Sequence, residues 1–165
     1  MKNVLFLEKI LDYQKNKETD YPVQEHLLMQ LCIRISNKMQ DVISDALEKH
    51  KINNTMFMAL SLLYFTDGYC LSPSEISNLL QVSKTNITRI TDILEKQNLI
   101  KRVDNELDRR GKNLCLTSDG VLFIQRMIRV QNIIMKKVWE GLSDDELKMF
   151  EMINKKTLAN YNAFI

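Results

Sequence analysis

The sequence has little glycine and proline, with four Gly and two Pro in 165 residues. Both residue types interrupt helices, so their scarcity favours a mainly helical chain with short connections. The chain also lacks an apolar run near the roughly 18 residues that cross a bilayer. The apolar run at its start is too short for a signal peptide. We therefore expect a single cytoplasmic domain over residues 1–165 with no membrane partner.

Cysteine is sparse as well. Cys32, Cys70 and Cys115 lie far apart, and no Cys-x-x-Cys spacing occurs. An odd, scattered set predicts a reducing compartment and no disulfide framework. We expect Cys32 to be a small buried hydrophobe on a helix and Cys115 to lie on the outer face of a strand. Because His26 and His50 share no ligand spacing with a cysteine pair, we expect no metal and no cofactor.

Signatures of the common enzyme classes are also missing. The sequence contains no Gly-x-Gly-x-x-Gly, no phosphate-binding loop, no Gly-x-Ser-x-Gly and no His-Glu-x-x-His. With only two histidines and no clustered carboxylates, a catalytic constellation is hard to assemble. We expect a protein that is not an enzyme. The net charge of +2 means that any basic surface must arise from placement and from a second copy of the chain.

A winged helix-turn-helix is predicted over residues 55–117. Ser72 is a candidate N-cap, with Pro73 at the first helical position and Glu75 completing a capping box. After a short turn, Ser83 caps a second helix, whose predicted inward face is Ile87, Ile90 and Leu94. Two strands follow at about 99–103 and 112–116. Such a unit places its second helix in the major groove of DNA and its wing beside it on the minor groove.

Long helices flank this unit on both sides. Apolar spacing predicts helices at about 4–11 and 23–49 with a polar connector over 15–21 between them, and a helix over 55–66 that is closed by a left-handed cap at Gly68. It also predicts a long helix from 118 to Gly141 and a last helix after the capping box Ser143–Glu146. Several are apolar on more than one side, and a chain of this length has no large core to cover them. We therefore predict a mainly α winged helix-turn-helix fold with dimerisation helices at about 4–50 and 118–163.

The chain resembles the MarR family of transcriptional regulators over essentially its whole length. Asp108-Arg109-Arg110 matches the Asp-x-Arg motif of the family's wing, and Leu116–Gly120 matches its Leu-Thr-x-x-Gly motif. Three further stretches resemble the multidrug-pump repressor (EmrR/MprA-like) subgroup: Gln24–Cys32, Thr55–Leu60 and Thr85–Ile90. The resemblance implies a homodimer on a palindromic operator, and repression that small aromatic or amphipathic ligands relieve.

The polar face of the second helix and the wing supply the expected DNA contacts. Arg and Asn side chains can read G and A edges in pairs of hydrogen bonds, whereas Ser and Thr more often hold phosphates. We expect Arg110 to enter the minor groove with Asp108 holding it in place, and Arg102, Arg109 and Lys112 to neutralise phosphates. The full predicted DNA-binding set is Ser72, Ser74, Ser83, Lys84, Thr85, Asn86, Thr88, Arg89, Arg102, Asp108, Arg109, Arg110 and Lys112.

A ligand site is predicted between the long helix near the start of the chain and the helix before the reading unit. Arg34 would pair with an anionic group, while Thr55, Phe57 and Met58 would pack on an aromatic ring. Three alternatives to a ligand-released repressor stay open. They are an activator, a regulator that senses redox state through a thiol, and an adaptor whose winged face docks a protein.

Overall fold

The computed structural model describes residues 2–104 and 111–162, with side chains from residues 4 to 104 and 111 to 160. Its helices are α1 (Lys2–Lys17), α2 (Val23–Glu48), α3 (Asn54–Phe65), α4 (Pro73–Leu80), α5 (Lys84–Lys96), α6 (Ser118–Val138) and α7 (Asp144–Asn162). The strands are β1 (Cys70–Leu71), β2 (Ile100–Asp104) and β3 (Lys112–Leu116). The predicted mainly α winged helix-turn-helix fold is confirmed.

The three strands form one antiparallel sheet in the order β1-β3-β2. β2 and β3 pair from Ile100 opposite Leu116 to Asp104 opposite Lys112. β1 adds Cys70 opposite Cys115 on the other edge of β3. β1 is too short to show a period-two pattern, which is why the sequence did not reveal it. It ties the segment before α4 to β3, the central strand of the sheet.

Two compact units make up the chain, Met1–Ile128 and Arg129–Ile165. The first has a dense apolar core to which α3, α4, α5, the sheet and the first half of α6 contribute. Ten large side chains there are fully buried: Leu60, Leu63, Ile76, Ile87, Ile90, Leu94, Ile100, Leu114, Ile124 and Met127. In the second unit, the rings of Trp139 and Phe150 pack with centroids 5.4 Å apart.

The Leu-Thr-x-x-Gly motif fixes the start of α6 against the turn between α5 and β2. The Thr117 hydroxyl donates to the Asn98 carbonyl at 2.6 Å and accepts from the Gly120 N–H at 2.9 Å. A Cβ on Gly120 would lie 1.9 Å from the Leu99 carbonyl oxygen. Only glycine permits this approach of the helix to the backbone. The motif is therefore a packing device that seats α6 beneath the wing.

Two boundaries differ from the sequence prediction. α1 extends to Lys17, through part of the stretch expected to be a polar connector, because charged residues such as Lys and Glu are good helix formers on a solvated face. α3 ends at Phe65, and Thr66 follows it in an extended conformation. Gly68 does have a positive φ of 71°, but it lies in the short 3-10 turn Asp67–Tyr69 that follows the helix.

The expected absence of a disulfide and the expected positions of Cys115 and Cys32 were wrong. Cys70 and Cys115 form a disulfide with their Cα atoms 4.1 Å apart. Cys115 is buried, and β1 pairs along the edge of β3 that a two-stranded wing would leave open. Cys32, in contrast, is exposed in the single chain, because its stripe on α2 has no covering element there.

Candidate nucleic-acid interface

The start of α4 is fixed by the predicted capping box. The Glu75 N–H donates to the Ser72 hydroxyl oxygen at 3.2 Å, and the Ser72 N–H donates to the Glu75 carboxylate at 2.8 Å. Hydrogen bonding from the Ser72 hydroxyl, and then from its backbone N–H, lowers the pKa of Glu75 below its usual value. The box satisfies helix donors that would otherwise face solvent, and it places Ser74 beside the cap, 3.1 Å from Ser72 between hydroxyl oxygens.

The turn between α4 and α5 is held by backbone geometry and one buried serine. Gln81 ends α4 in the left-handed conformation, with φ 54°. The Ser77 hydroxyl donates to the Val82 carbonyl at 2.7 Å, and the Val82 N–H donates to the Ser77 carbonyl at 3.1 Å. These two bonds close the turn. The angle between α4 and α5 is therefore fixed by residues that lie outside the predicted DNA-binding set.

Helix α5 has one buried and one exposed face. Its N-cap is Ser83, whose hydroxyl accepts from the Asn86 N–H at 3.3 Å. Ile87, Ile90 and Leu94 are buried and fasten the helix to the core. Thr91 is buried too, and its hydroxyl donates to the Ile87 carbonyl at 2.9 Å. The predicted inward face is thus confirmed, and it leaves the opposite face to solvent.

The exposed face of α5 carries the residues predicted to contact DNA. Lys84, Thr85, Thr88 and Arg89 are exposed, and Asn86 is half-buried. One Arg89 guanidinium nitrogen donates to the Asn86 side-chain oxygen at 3.3 Å. This bond orients the one arginine of the helix alongside its one asparagine. The two side chains best suited to read base edges are therefore held next to each other.

A cleft of about 490 Å³ opens between the start of α4, the exposed face of α5 and the base of the wing. It brings together residues from three separate segments of the chain. Five belong to the predicted DNA-binding set, and the lining is Ser72, Pro73, Ser74, Lys84, Thr88, Gly111, Lys112 and Asn113. Hydroxyls and two ammonium groups around a cleft suit an anionic oxygen group. Sequence reasoning did not single out Asn113, which this geometry adds to the candidates.

Arg102 on β2 holds the wing to α5. Its guanidinium reaches the Asp92 carboxylate at 2.5 Å and the Glu95 carboxylate at 2.8 Å. Hydrogen bonding to Asp92 raises the pKa of Arg102, with Glu95 adding to the effect against the opposing cost of burial. Asp92 and Glu95 were not among the predicted site residues, because their positions on α5 do not reveal that Arg102 of β2 lies beside them. The role of Arg102 toward phosphate stays a prediction.

Other predicted site residues have separate positions. Lys112 is exposed and lies 3.9 Å from the Asp104 carboxylate across the β2–β3 pair. Asp108, Arg109 and Arg110 lie outside the described residues. Of the predicted ligand site, Phe57 is buried in the core, Thr55 is half-buried, and Arg34 and Met58 are exposed.

The described residues hold neither a metal cluster nor a helix suited to a membrane. Within residues 2–104 and 111–162, no cluster of three or more His, Cys, Asp or Glu side chains has the arrangement of a metal site. None of the helices in that part of the chain has the length and apolar character to cross a membrane.

These features define a winged helix-turn-helix protein, with a polar and basic helix face presented beside a wing. Comparison with known proteins gives the family. The MarR family profile matches residues 52–112. The HTH-type transcriptional regulator PrsX of Escherichia coli is 52% identical over 160 residues, covering 97% of this chain and 96% of PrsX. The chain belongs to the MarR family.

More distant relatives agree with this assignment. The transcriptional repressor MprA of Escherichia coli K12 is 35% identical over 153 residues, covering 93% of this chain and 87% of MprA. A crystal structure of a mutant MarR from E. coli complexed with operator DNA has the same fold, with a TM-score of 0.67 at 24% identity, covering 79% of this chain and 93% of that chain. The relatives are transcriptional regulators, which confirms the expectation that this chain is not an enzyme.

Proposed function

We propose that this protein is a transcriptional regulator that binds a palindromic DNA operator as a homodimer. The observation that carries the proposal is the cleft of about 490 Å³, which gathers Lys84, Thr88 and Lys112 with the Ser72–Ser74 cap beside the exposed face of α5. The relatives named above are called regulators. Binding to chromosomal DNA would place the protein in the cytoplasm.

In this proposal α5 reads bases and the surrounding segments hold phosphates. Arg89 and Asn86 would contact base edges, and Lys84, Thr85 and Thr88 would contact base edges or the backbone. Ser72, Ser74 and Ser83 would position phosphates at the helix starts. On the wing, Arg110 would enter the minor groove beside Asp108, and Arg109 and Lys112 would neutralise phosphates. Arg102 would hold the wing against α5 through Asp92 and Glu95.

The homodimer is supported by exposed apolar surface on the helices that flank the reading unit. Large hydrophobic side chains are exposed on α1 and α2, and others are exposed on α7: Leu5, Phe6, Ile10, Leu28, Met29, Ile33, Met149, Phe150, Met152, Ile153 and Leu158. Soluble monomers rarely expose so many clustered apolar groups, and most soluble oligomers are symmetric. A two-fold axis would also present two α5 helices to two half-sites about one helical turn apart.

We further propose that the protein is a repressor and that a small aromatic or amphipathic ligand releases it. MprA, at 35% identity, is called a repressor. A ligand shifts the equilibrium only if it binds the form unable to bind DNA more tightly than the other. Arg34, Thr55 and Met58 would contact it. Phe57 is 3% exposed, so a ring that reached it would have to displace its side chain from the core.

Selection of bound fragments from genomic DNA tests the function and supplies an operator. Affinity is then measured against salt, and it should fall steeply in proportion to the phosphates contacted. Arg89→Ala should cost about 1–3 kcal/mol per half-site and relax the preference at one position. Lys96→Ala, at the far end of the same helix, is the matched control. If no fragment is enriched and any residual binding to DNA is insensitive to salt, the proposal is wrong. The adaptor alternative is then favoured.

Ligand release has its own test. A panel of aromatic carboxylic acids is titrated into the protein–operator complex, and release is followed by fluorescence anisotropy. Arg34→Ala should keep the operator affinity and need more ligand for release. If release by every acid is unchanged in Arg34→Ala and in Met58→Ala, the ligand lies elsewhere. An increase of transcription from the operator when the protein is present would make it an activator.

A further inference from the structure

The disulfide between Cys70 and Cys115 closes a ring around the DNA-reading unit. The two residues are 45 positions apart, and the ring contains α4, α5, β2 and the wing. β1 passes directly into Ser72 at the start of α4, and β3 contains Lys112 at the base of the wing. The bond therefore joins the two sides of the cleft that carries the proposed DNA contacts.

Backbone pairing between these two sides is short. β1 consists of two residues, which pair with β3 only at Cys70 opposite Cys115 and Leu71 opposite Leu114. The disulfide adds a covalent restraint to this ladder and to the packing of α4 and β3 on α3, and its reduction removes that restraint on the distance from the Ser72 cap to Lys112. Ordering groups at the moment of binding weakens affinity, and fixing them beforehand removes that cost. The oxidised form is thus the better prepared for DNA.

The two cysteine residues differ in exposure. Cys70 is half-buried and Cys115 is buried, so a small thiolate can attack at Cys70. In the cytoplasm, where the proposed DNA binding takes place, thiols are kept reduced, and the disulfides that do occur there are mostly transient and redox-sensing. A permanent structural disulfide would not fit that setting, whereas a reversible one would.

We propose that Cys70 and Cys115 form a thiol–disulfide exchange site for small thiols and disulfides, and that its oxidised form binds the operator more tightly. This inference rests on the proposed function. In reduction, a small thiolate attacks Cys70 Sγ, and Cys115 leaves as a thiolate that takes a proton. A second small thiol then attacks the mixed disulfide and releases Cys70 as a thiol, with one molecule of small disulfide as the other product. Oxidation is the reverse of these two steps.

The third cysteine provides the control. Cys32 lies on α2, outside the ring, so Cys32→Ser leaves the exchange site intact. Cys70→Ser combined with Cys115→Ala gives a chain that is held in the reduced arrangement. Cys115 is buried, and its substitution can disturb folding. The main comparison is therefore between the oxidised and reduced forms of the wild-type protein.

The full-length protein is equilibrated in mixtures of glutathione and glutathione disulfide, and each sample is divided. One part is alkylated, and its mass is measured by mass spectrometry. The mass increase counts the free thiols at Cys70 and Cys115. The other is titrated with the selected operator. We expect both thiols to appear and disappear together, and the affinity to fall on reduction by roughly two- to tenfold for each reading unit. Cys32→Ser should follow the wild type, and the double variant should match the reduced form in every mixture.

Three results would overturn the switch. They are a pair that stays in one state across all glutathione mixtures, equal affinity of the two states, or tighter binding by the reduced state. Failure of the proposed function gives a different result, in which neither state binds any selected fragment. In that case the regulatory part of the switch falls with the function, while the thiol count still reports whether the pair exchanges.

Discussion

The DNA-reading unit and the flanking helices use their apolar residues in opposite ways. In the reading unit, Ile76, Ile90 and Leu94 are 0% exposed, and most polar residues of the same helices face outward. On α7, Phe150, Ile153 and Leu158 are 38%, 50% and 65% exposed. The first region is complete within one chain. The second carries apolar surface that one chain does not cover, so the two regions should respond differently to mutation.

The largest effect is expected on α7. Ile153→Asp would bury an unpaired carboxylate in each half of a symmetric interface, at a cost of about 3–5 kcal/mol. The dimer should dissociate or aggregate, as measured by analytical ultracentrifugation. Lys156→Asp adds the same carboxylate to the same helix at a polar position, and it should leave the dimer intact. If the wild-type protein sediments as a monomer at micromolar concentration, the exposed apolar surface of α7 is not a dimer interface. The proposed difference between the two regions is then wrong.

Next comes a substitution where α6 packs against the reading unit. Gly120→Ala places a Cβ 1.9 Å from the Leu99 carbonyl oxygen, so α6 must shift, and the free energy of unfolding should fall by about 3 kcal/mol. Gly68→Ala is the matched control, since its site is open and only its φ of 71° opposes a side chain. That change should cost about 1 kcal/mol. If chemical denaturation gives equal losses in the free energy of unfolding for the two variants, α6 moves away from Leu99 at little cost.

How far the sequence predicted this molecule depends on the range of each interaction. The capping boxes at Ser72 and Ser143 involve residues three apart, so their patterns are complete in the sequence, and both form in the structure. The motif ending at Gly120 was recognised in the sequence. Its need for glycine comes from the close approach to Leu99, which is distant in the chain, so that need was not predictable.

Longer-range pairs were beyond sequence reasoning. Cys70 and Cys115 became neighbours only because a two-residue strand joined the sheet. The ion pairs of Arg102 likewise depend on where β2 lies against α5. The exposed face of α5 was predicted because it is set by helical period and a local cap. A candidate contact surface is thus predictable where one helix makes it, and less so where strands complete it.

A smaller effect separates two basic residues of the wing. Lys112 is exposed at the cleft, so Lys112→Ala should reduce the slope of log affinity against log salt by about 1 for each phosphate that is no longer neutralised. Arg102 is already paired with Asp92 and Glu95. We expect Arg102→Gln to weaken binding by misplacing the wing while keeping the salt slope. Should Arg102→Gln lower the slope as much as Lys112→Ala, Arg102 contacts phosphate directly.

The smallest effect concerns the pH dependence of the α4 cap. Hydrogen bonds from Ser72 lower the pKa of Glu75 below its usual 4.5 in the folded state. Between those two values the unfolded chain holds a proton that the folded chain does not, so stability falls as the pH is lowered through this range. The contribution of Glu75 is complete above pH 4.5 and lost below the folded pKa. Because the carboxylate is exposed, the effect should be under about 1 kcal/mol. Urea denaturation of the wild type and Glu75→Gln from pH 7 to pH 3 checks this, and the two stabilities should converge on acidification. A difference that stays constant with pH would mean that Glu75 acts through packing and not through its charge.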